Sequence, residues 1–127
     1  MIDLVILEGK YSICQFDIDQ VIPSSIFLSD FYSITRTSDE ISVIVREPLT
    51  FKPAKLSNGW RGFKVDSILD FSLTGIIIDI TQPLKENGIS VFVTSTYNTD
   101  YIFIKEESFD RTIEIFKSAV NINLKYR

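Results

Sequence analysis

No histidine occurs among the 127 residues, which removes both the commonest general base near neutral pH and the commonest metal ligand. A Ser/His/Asp triad, a Cys/His dyad and a Cys/His zinc site are excluded by residue inventory alone. Cysteine is almost as scarce. The lone Cys14 has no intramolecular disulfide partner, and within Tyr11-Ser12-Ile13-Cys14-Gln15-Phe16 it reads as a small core hydrophobe in a reducing compartment. An excess of positive charge is also missing: thirteen Lys and Arg stand against seventeen Asp and Glu, a net charge of −4. Such a field repels phosphate backbones and anionic lipid surfaces. The basic residues Arg36, Arg46, Lys52, Lys55, Arg61 and Lys64 are scattered, with no run interleaved with aromatics as a nucleic-acid groove needs. No segment holds the uninterrupted run of about eighteen apolar residues that a membrane-spanning helix requires, and Met1-Ile2-Asp3-Leu4 opens without a basic flank ahead of an apolar stretch. The expectation is a soluble, cytoplasmic protein with neither nucleic acid nor membrane as partner.

What is present is material for a core. Apolar residues make up 45% of the chain, with ten Phe and five Tyr, enough apolar surface to exclude disorder for most of it. The length suits one domain, or two very small ones fused around a shared core.

Asp3 to Leu7 and Tyr11 to Phe16 are short apolar runs broken by Glu8-Gly9-Lys10, as in two strands or one strand bent at Gly9. Pro23-Ser24-Ser25 ahead of Ile26-Phe27-Leu28 looks like a Pro-started helical turn, short by necessity. Phe31 to Thr35 and Ile41 to Val45 are rich in β-branched and aromatic residues around the polar break Arg36 to Glu40, and read as a hairpin. Glu47 to Gly59, with Pro48 and Pro53, shows no sustained period and reads as a linker. Trp60 to Val65 alternates as a strand does. Leu73, Ile76, Ile77, Ile80 and Leu84 recur at helical spacing up to the stop signal Asn87-Gly88, with Pro83 expected to kink or shorten the helix. Val91 to Thr94 and Tyr101 to Ile104 read as strands, and Phe109, Ile113, Phe116 and Val120 as a last helical stripe. The second half is thus βαββα. Thr35 to Ile41 and Ser95 to Tyr101 are both hydroxyl-rich turns leading into a strand, which makes a duplicated unit one reading of the chain.

The most informative stretch is Asp70-Phe71-Ser72-Leu73-Thr74-Gly75-Ile76, between a strand and the clearest helix. A strand-to-helix turn presents free backbone N–H groups and the positive end of the helix dipole. Ser72 can cap the helix and Gly75 allows a close approach; equally, Ser72 is only a cap and Gly75 only a packing contact.

Together with Gly88-Ile89-Ser90-Val91, Ser95-Thr96-Tyr97-Asn98-Thr99-Asp100-Tyr101-Ile102 and Trp60-Arg61-Gly62-Phe63-Lys64-Val65, this stretch resembles the ACT domain. The likeness is closest to the subgroup found in aspartokinases and the CASTOR arginine sensors, including short bacterial proteins of two ACT units. It is strong over residues 60 to 120, weaker over 11 to 47 and absent from 48 to 58. It implies an α+β chain of two ferredoxin-like βαββαβ-type ACT units, the first divergent, with mostly antiparallel sheets and helices on one face. The corresponding division is 1–47 for the divergent unit, 48–58 for a linker and 59–127 for the second unit. It further implies a regulatory, allosteric module without catalysis, cofactor or metal, binding an amino acid at an interface between ACT units and forming a homodimer. Carried over by position, Asp70, Phe71, Ser72, Leu73, Thr74, Gly75 and Ile76 with Ser90 and Val91 would surround the ligand. N–H groups near Thr74, Gly75 and Ile76 would hold its carboxylate, Asp70 or Asp100 would accept from its amino group, and Thr94 and Ser95 would line the side-chain end. The alternative is an ACT-like interaction module that has no ligand, and for Asp100 a turn residue at a strand edge.

Other groups carry less. Glu106, Glu107 and Asp110 sit where acidic residues offset a helix dipole, and Asp17 and Asp19 lack the Gly-bearing loop of a calcium site. Tyr97 and Tyr101 read as packing residues with wet hydroxyls. No spacing singles out a pair of carboxylates for acid/base catalysis.

Overall fold

The computed structural model describes residues 2–66 and 75–126. The chain forms two units: Met1–Glu8 with Arg61–Arg127, and Gly9–Trp60. This differs from the division at 47 and 58. The first strand belongs with the C-terminal unit, so that unit is interrupted by the whole of the other. A strand, moreover, begins inside the expected linker, at Lys55. Neither feature is encoded locally, because both depend on pairing between residues far apart in the chain.

The C-terminal unit contains β1 (Ile2–Ile6), the Arg61–Val65 end of β5 (Lys55–Val65), α1 (Ile76–Glu86), β6 (Phe92–Ser95), β7 (Asp100–Lys105), α2 (Phe109–Ser118) and β8 (Ile122–Tyr126). Its strand order is β6-β7-β5-β1-β8. β1 runs antiparallel to β5, with Leu4 beside Val65 and Ile6 beside Phe63, and parallel to β8. Strand alternation sends Leu4, Ile6, Phe63, Val65, Ile102 and Ile104 to one face. There they pack with Ile80 and Leu84 of α1 and Ile113 and Phe116 of α2, so both helices cover the same side of the sheet. Each such side chain, fully buried, stabilises the fold by about 1.5–3 kcal/mol. The Phe63 ring meets Phe116 edge-on at 5.3 Å. On the opposite face a Cβ at Gly62 would lie 2.9 Å from the Phe103 ring and 3.0 Å from Leu7, so only glycine fits under that ring.

α1 continues through Pro83 to Glu86. The lost Pro83 N–H leaves the Asp79 carbonyl unpaired within the helix, and Asp79 is exposed to solvent. The helix ends as Asn87-Gly88 foretells: Gly88 takes φ +70°, its N–H donates to the Lys85 carbonyl and the Ile89 N–H to the Leu84 carbonyl. Ile89 and Leu84, both buried, complete this glycine-terminated cap. The last helix is shorter than its stripe suggests. It stops at Ser118, Val120 is exposed, and Ile122, Leu124 and Tyr126 alternate along β8.

The N-terminal unit contains β2 (Tyr11–Phe16), a 3-10 turn at Ser24–Leu28 entered from Pro23, β3 (Tyr32–Arg36), β4 (Ile41–Arg46) and the first part of β5. Its order is β3-β4-β2-β5, antiparallel throughout. Cys14, Phe16, Ile41, Val43 and Val45 share a face with Ile26 of the 3-10 turn and form its core, joined by Ile34, Leu49 and Phe51. Burial pushes the Cys14 thiol up to about 11, which keeps it protonated and inert. With β1 set aside, each unit orders its strands second-third-first-last, as a ferredoxin-like fold does; in the C-terminal unit β1 is slipped between β5 and β8. The fold class is therefore mixed α+β with mostly antiparallel pairing.

Candidate ligand-binding site

Gly75 is the N-cap of α1, and not a residue of its first turn. It takes φ +87°, in the left-handed region that favours glycine. Its carbonyl accepts the Asp79 N–H at 2.8 Å, closing the first turn. Among the described residues nothing lies within 4 Å of the place a Cβ would occupy. The cap position expected for Ser72 is thus taken by Gly75. Asp70, Phe71, Ser72, Leu73 and Thr74 themselves lie outside the described residues.

The turn between β6 and β7 holds a second group of the expected site residues. Ser95 and Asp100 are register partners at the strand ends, and the Ser95 hydroxyl donates to the Asp100 carboxylate. Between them the Thr96 N–H donates to the Thr99 carbonyl at 2.7 Å, while the Thr96 Oγ1 accepts the Thr99 N–H at 3.2 Å. Thr99 is buried, and its Oγ1 donates to the Val65 carbonyl at 2.6 Å. That bond holds the β6–β7 turn against the end of β5, where the connection into α1 begins. Sequence reasoning passed over Thr99 because it looks like any hydroxylated turn residue.

Charged groups gather at the same end of β5. The Asp66 N–H donates to the Asp3 carbonyl at 2.9 Å. The Asp3 carboxylate accepts from Asn123 at 3.0 Å and Lys125 at 3.3 Å, and Lys125 also stands 3.9 Å from Asp66. The hydrogen bonds from Asn123 and then Lys125 hold the Asp3 carboxyl below its ordinary value.

Not every expected site residue converges here. Alternation along β6 puts Ser95 on the helix-covered face with Asp100, and Thr94 on the opposite face with Tyr101. Ser90 and Val91 follow the C-terminal end of α1, whereas Gly75 and Ile76 stand at its start. Eleven helical residues separate the two pairs by about 16 Å. Ser90 and Val91 instead line an open hollow of about 500 Å³ with Ile78, Thr81, Gln82 and Lys85. The residues that do come together are Ser95, Thr99 and Asp100, beside the end of β5.

A family model described as the ACT domain matches residues 55–118, half of the chain. The chain belongs to the ACT domain family. A second model, of an N-terminal domain, matches residues 9–48, a span that starts where the N-terminal unit starts. A solved protein from Agobacterium tumefaciens is 31% identical, with 99% of this chain and 93% of that one covered and a TM-score of 0.86. The regulatory subunit of aspartate kinase from Thermus thermophilus is 11% identical, with 93% and 97% covered and a TM-score of 0.62. Aspartate kinase from Clostridium acetobutylicum is 9% identical with a TM-score of 0.65, and this chain spans 34% of its length. At those identities the two kinase structures share the fold of this ACT protein. Among the described residues no helix is long and apolar enough to cross a membrane.

Proposed function

We propose that this ACT protein is a cytoplasmic regulatory module that binds a free amino acid where β5 leads into α1 and couples occupancy to its own self-association. In this reading backbone N–H groups around Thr74, Gly75 and Ile76 take the ligand carboxylate, Asp100 or Asp70 takes its ammonium group, and Ser95 borders its side chain. The aspartokinase and arginine-sensor members of the family motivate the choice of an amino acid. The observation that carries the proposal is the buried Thr99–Val65 bond, which fastens the turn holding the Ser95–Asp100 pair to the end of β5, the strand that precedes the left-handed Gly75 and α1 in the chain. A carboxylate in a turn and the N-terminus of a helix supply the two opposite charges a zwitterion needs.

The Ser95–Asp100 hydrogen bond favours a second reading, in which Asp100 only closes its turn and the domain associates without a ligand. Calorimetry and thermal melting against the twenty amino acids, for the wild type and Asp100→Asn, separate the two. Binding by the wild type that falls at least ten-fold in Asp100→Asn supports the sensor. No heat and no melting shift with any amino acid leaves the association module.

A further inference from the structure

Between its third strand and its last the C-terminal unit has α2; at that place in the N-terminal unit residues 47–54 join β4 to β5 without a helix. The other cover of the N-terminal sheet is the five-residue 3-10 turn Ser24–Leu28. Between these two short covers lies a hollow of about 290 Å³. Ile26, Val45 and Phe51, all of the N-terminal core, form its apolar lining, and Leu28, 88% exposed, stands at its edge. The Thr50 hydroxyl donates to the Ser25 hydroxyl at 2.9 Å and so ties one cover to the other. The hollow opens where β4 ends, opposite Tyr11 at the start of β2, whereas the chain leaves β2 for the 3-10 turn at Phe16, the other end. It is therefore not the N-terminal counterpart of the strand-to-helix connection at Gly75.

Three charged residues border the hollow, Asp30, Arg46 and Glu47. Arg46 and Asp30 neutralise each other at 2.7 Å. Glu47 has no such partner: among the described residues its carboxylate accepts from the Ser12 hydroxyl at 2.9 Å and the Gly59 N–H at 2.8 Å, and from no cation. Ser12 is buried and shares a face of β2 with Cys14 and Phe16, so the carboxylate is turned to the core side of the sheet. There its charge adds to burial in raising the Cys14 thiol. A half-buried carboxylate without a cation carries a desolvation cost that nothing offsets. We infer that the hollow binds a small primary amine in its protonated form, with the ammonium group on Glu47 and the Thr50 hydroxyl and the apolar body on Ile26, Val45 and Phe51. Thr50, having given its proton to Ser25, keeps lone pairs for an ammonium N–H. The volume sits at the lower end of small-molecule sites, about 300–1,000 Å³, which suits one ring or a short branched chain. Glu47 and Asp30 repel a carboxylate on the ligand, and the net charge of −4 draws cations toward the chain. The inference is independent of the amino-acid reading, which concerns the other unit.

The test titrates the full chain with benzylamine, benzyl alcohol and benzoate, followed by the backbone amide resonances in two-dimensional NMR. Benzylamine is expected to shift the amides of Ile26, Val45, Glu47 and Phe51 saturably, benzyl alcohol to bind at least ten-fold more weakly, and benzoate not to bind. Glu47→Gln keeps an acceptor for Ser12 and Gly59 and removes the charge, and should weaken benzylamine at least ten-fold. Thr50→Phe changes an exposed residue, places a ring at the mouth of the hollow and should block it, which keeps the test decisive if Glu47→Gln fails to fold. No saturable shift with benzylamine overturns the site. Equal binding of the amine and the alcohol overturns the role of Glu47 and leaves an apolar hollow without charge selection. Shifts that gather at Gly75 and Asp100 instead, or benzylamine binding that survives Thr50→Phe, put the amine elsewhere and overturn the inference while leaving the amino-acid reading to its own test.

Discussion

Thr37-Ser38-Asp39-Glu40, between β3 and β4, and Thr96-Tyr97-Asn98-Thr99, between β6 and β7, are turns of one design in two units that differ in almost everything around them. In each, the first threonine N–H donates to the carbonyl of the fourth residue, at 2.9 Å and 2.7 Å, and its Oγ1 accepts the fourth residue's N–H at 3.2 Å. The fourth residue then reaches another strand of its own unit, β2 from Glu40 and β5 from Thr99. Glu40 accepts from the Gln15 side chain at 3.3 Å, partly in solvent, whereas Thr99 donates to the buried Val65 carbonyl at 2.6 Å. A hydroxyl-led turn is therefore written in local sequence and repeats. What the turn is fastened to depends on tertiary structure and does not. The cover above the two sheets diverges in the same way, two helices in one unit and a 3-10 turn in the other.

The sharpest way to break this comparison is to remove core volume from the well-covered unit. Phe63 is fully buried between the sheet and α2, and Phe63→Ala should cost about 3–5 kcal/mol in urea unfolding, from lost transfer energy and the cavity left behind. Leu28→Ala, in the thinly covered unit, should stay within about 0.5 kcal/mol for the monomer. Losses of similar size at the two sites would mean that Leu28 is covered in solution even when the chain is monomeric.

A smaller effect separates the two turns. Thr99→Val keeps the shape and deletes the hydroxyl, leaving the Val65 carbonyl unsatisfied and buried at a cost of about 1–3 kcal/mol. Glu40→Ala removes a partly solvated contact and should cost less than about 0.5 kcal/mol. Equal costs in matched denaturant titrations would show that the two anchors are equivalent after all. Thr99→Val should also weaken amino-acid binding if the turn positions Asp100, while Glu40→Ala should leave it alone.

The connections ahead of the first helical element differ too. The N-terminal unit runs from Phe16 to Pro23 without glycine, and the C-terminal unit reaches α1 through Gly75 at φ +87°. Gly75→Asp would combine the strain of a left-handed side chain, about 1 kcal/mol, with the partial relief of an acidic N-cap. A melting point a few degrees lower, with amino-acid binding abolished by the carboxylate placed where the ligand's belongs, is the expected result. Unchanged binding would move the site away from Gly75.

These cases also show how far the sequence carries. The α1 stripe, its Asn87-Gly88 ending and both hairpins were legible because each depends on residues near one another in the chain. The place of β1 between β5 and β8, and the reach of Thr99 to Val65, were not, since they join residues more than thirty positions apart. Two features were present in the sequence and misread. Ile122, Leu124 and Tyr126 alternate plainly, but extending the helical stripe to Val120 hid β8. The alternation that makes Val91 to Thr94 a strand already implied that Thr94 and Ser95 face opposite ways. As for the candidate site, its clearest feature, the turn Ser95 to Asp100, was found from hydroxyl-rich composition and family likeness. The separation of Ser90 from Gly75 needed the length and direction of α1.

The smallest contrast concerns how charge fastens each unit. Arg46 and Asp30 of the N-terminal unit form an ion pair at 2.7 Å with Asp30 two-thirds exposed, an arrangement worth about 0–1 kcal/mol. In the C-terminal unit Asp3 of β1 accepts from Asn123 and Lys125 of β8, and these bonds lower its carboxyl below the ordinary value near 3.8. The sign follows from linkage. A carboxyl depressed in the folded state adds stability above its unfolded value, and that stability is lost as pH falls through the folded one. The acid limb of the wild-type melting curve, from about pH 4 downward, should therefore include a contribution from Asp3. Asp3→Asn should lower the melting point slightly at pH 7 and make that limb shallower, because the variant has no carboxyl left to protonate. Asp30→Asn serves as the control at pH 7, where removing the exposed pair should change the melting point no more than Asp3→Asn does. Melting curves of wild type and Asp3→Asn that run parallel from pH 7 to pH 3 would show that the β1–β8 contacts of Asp3 contribute nothing in solution.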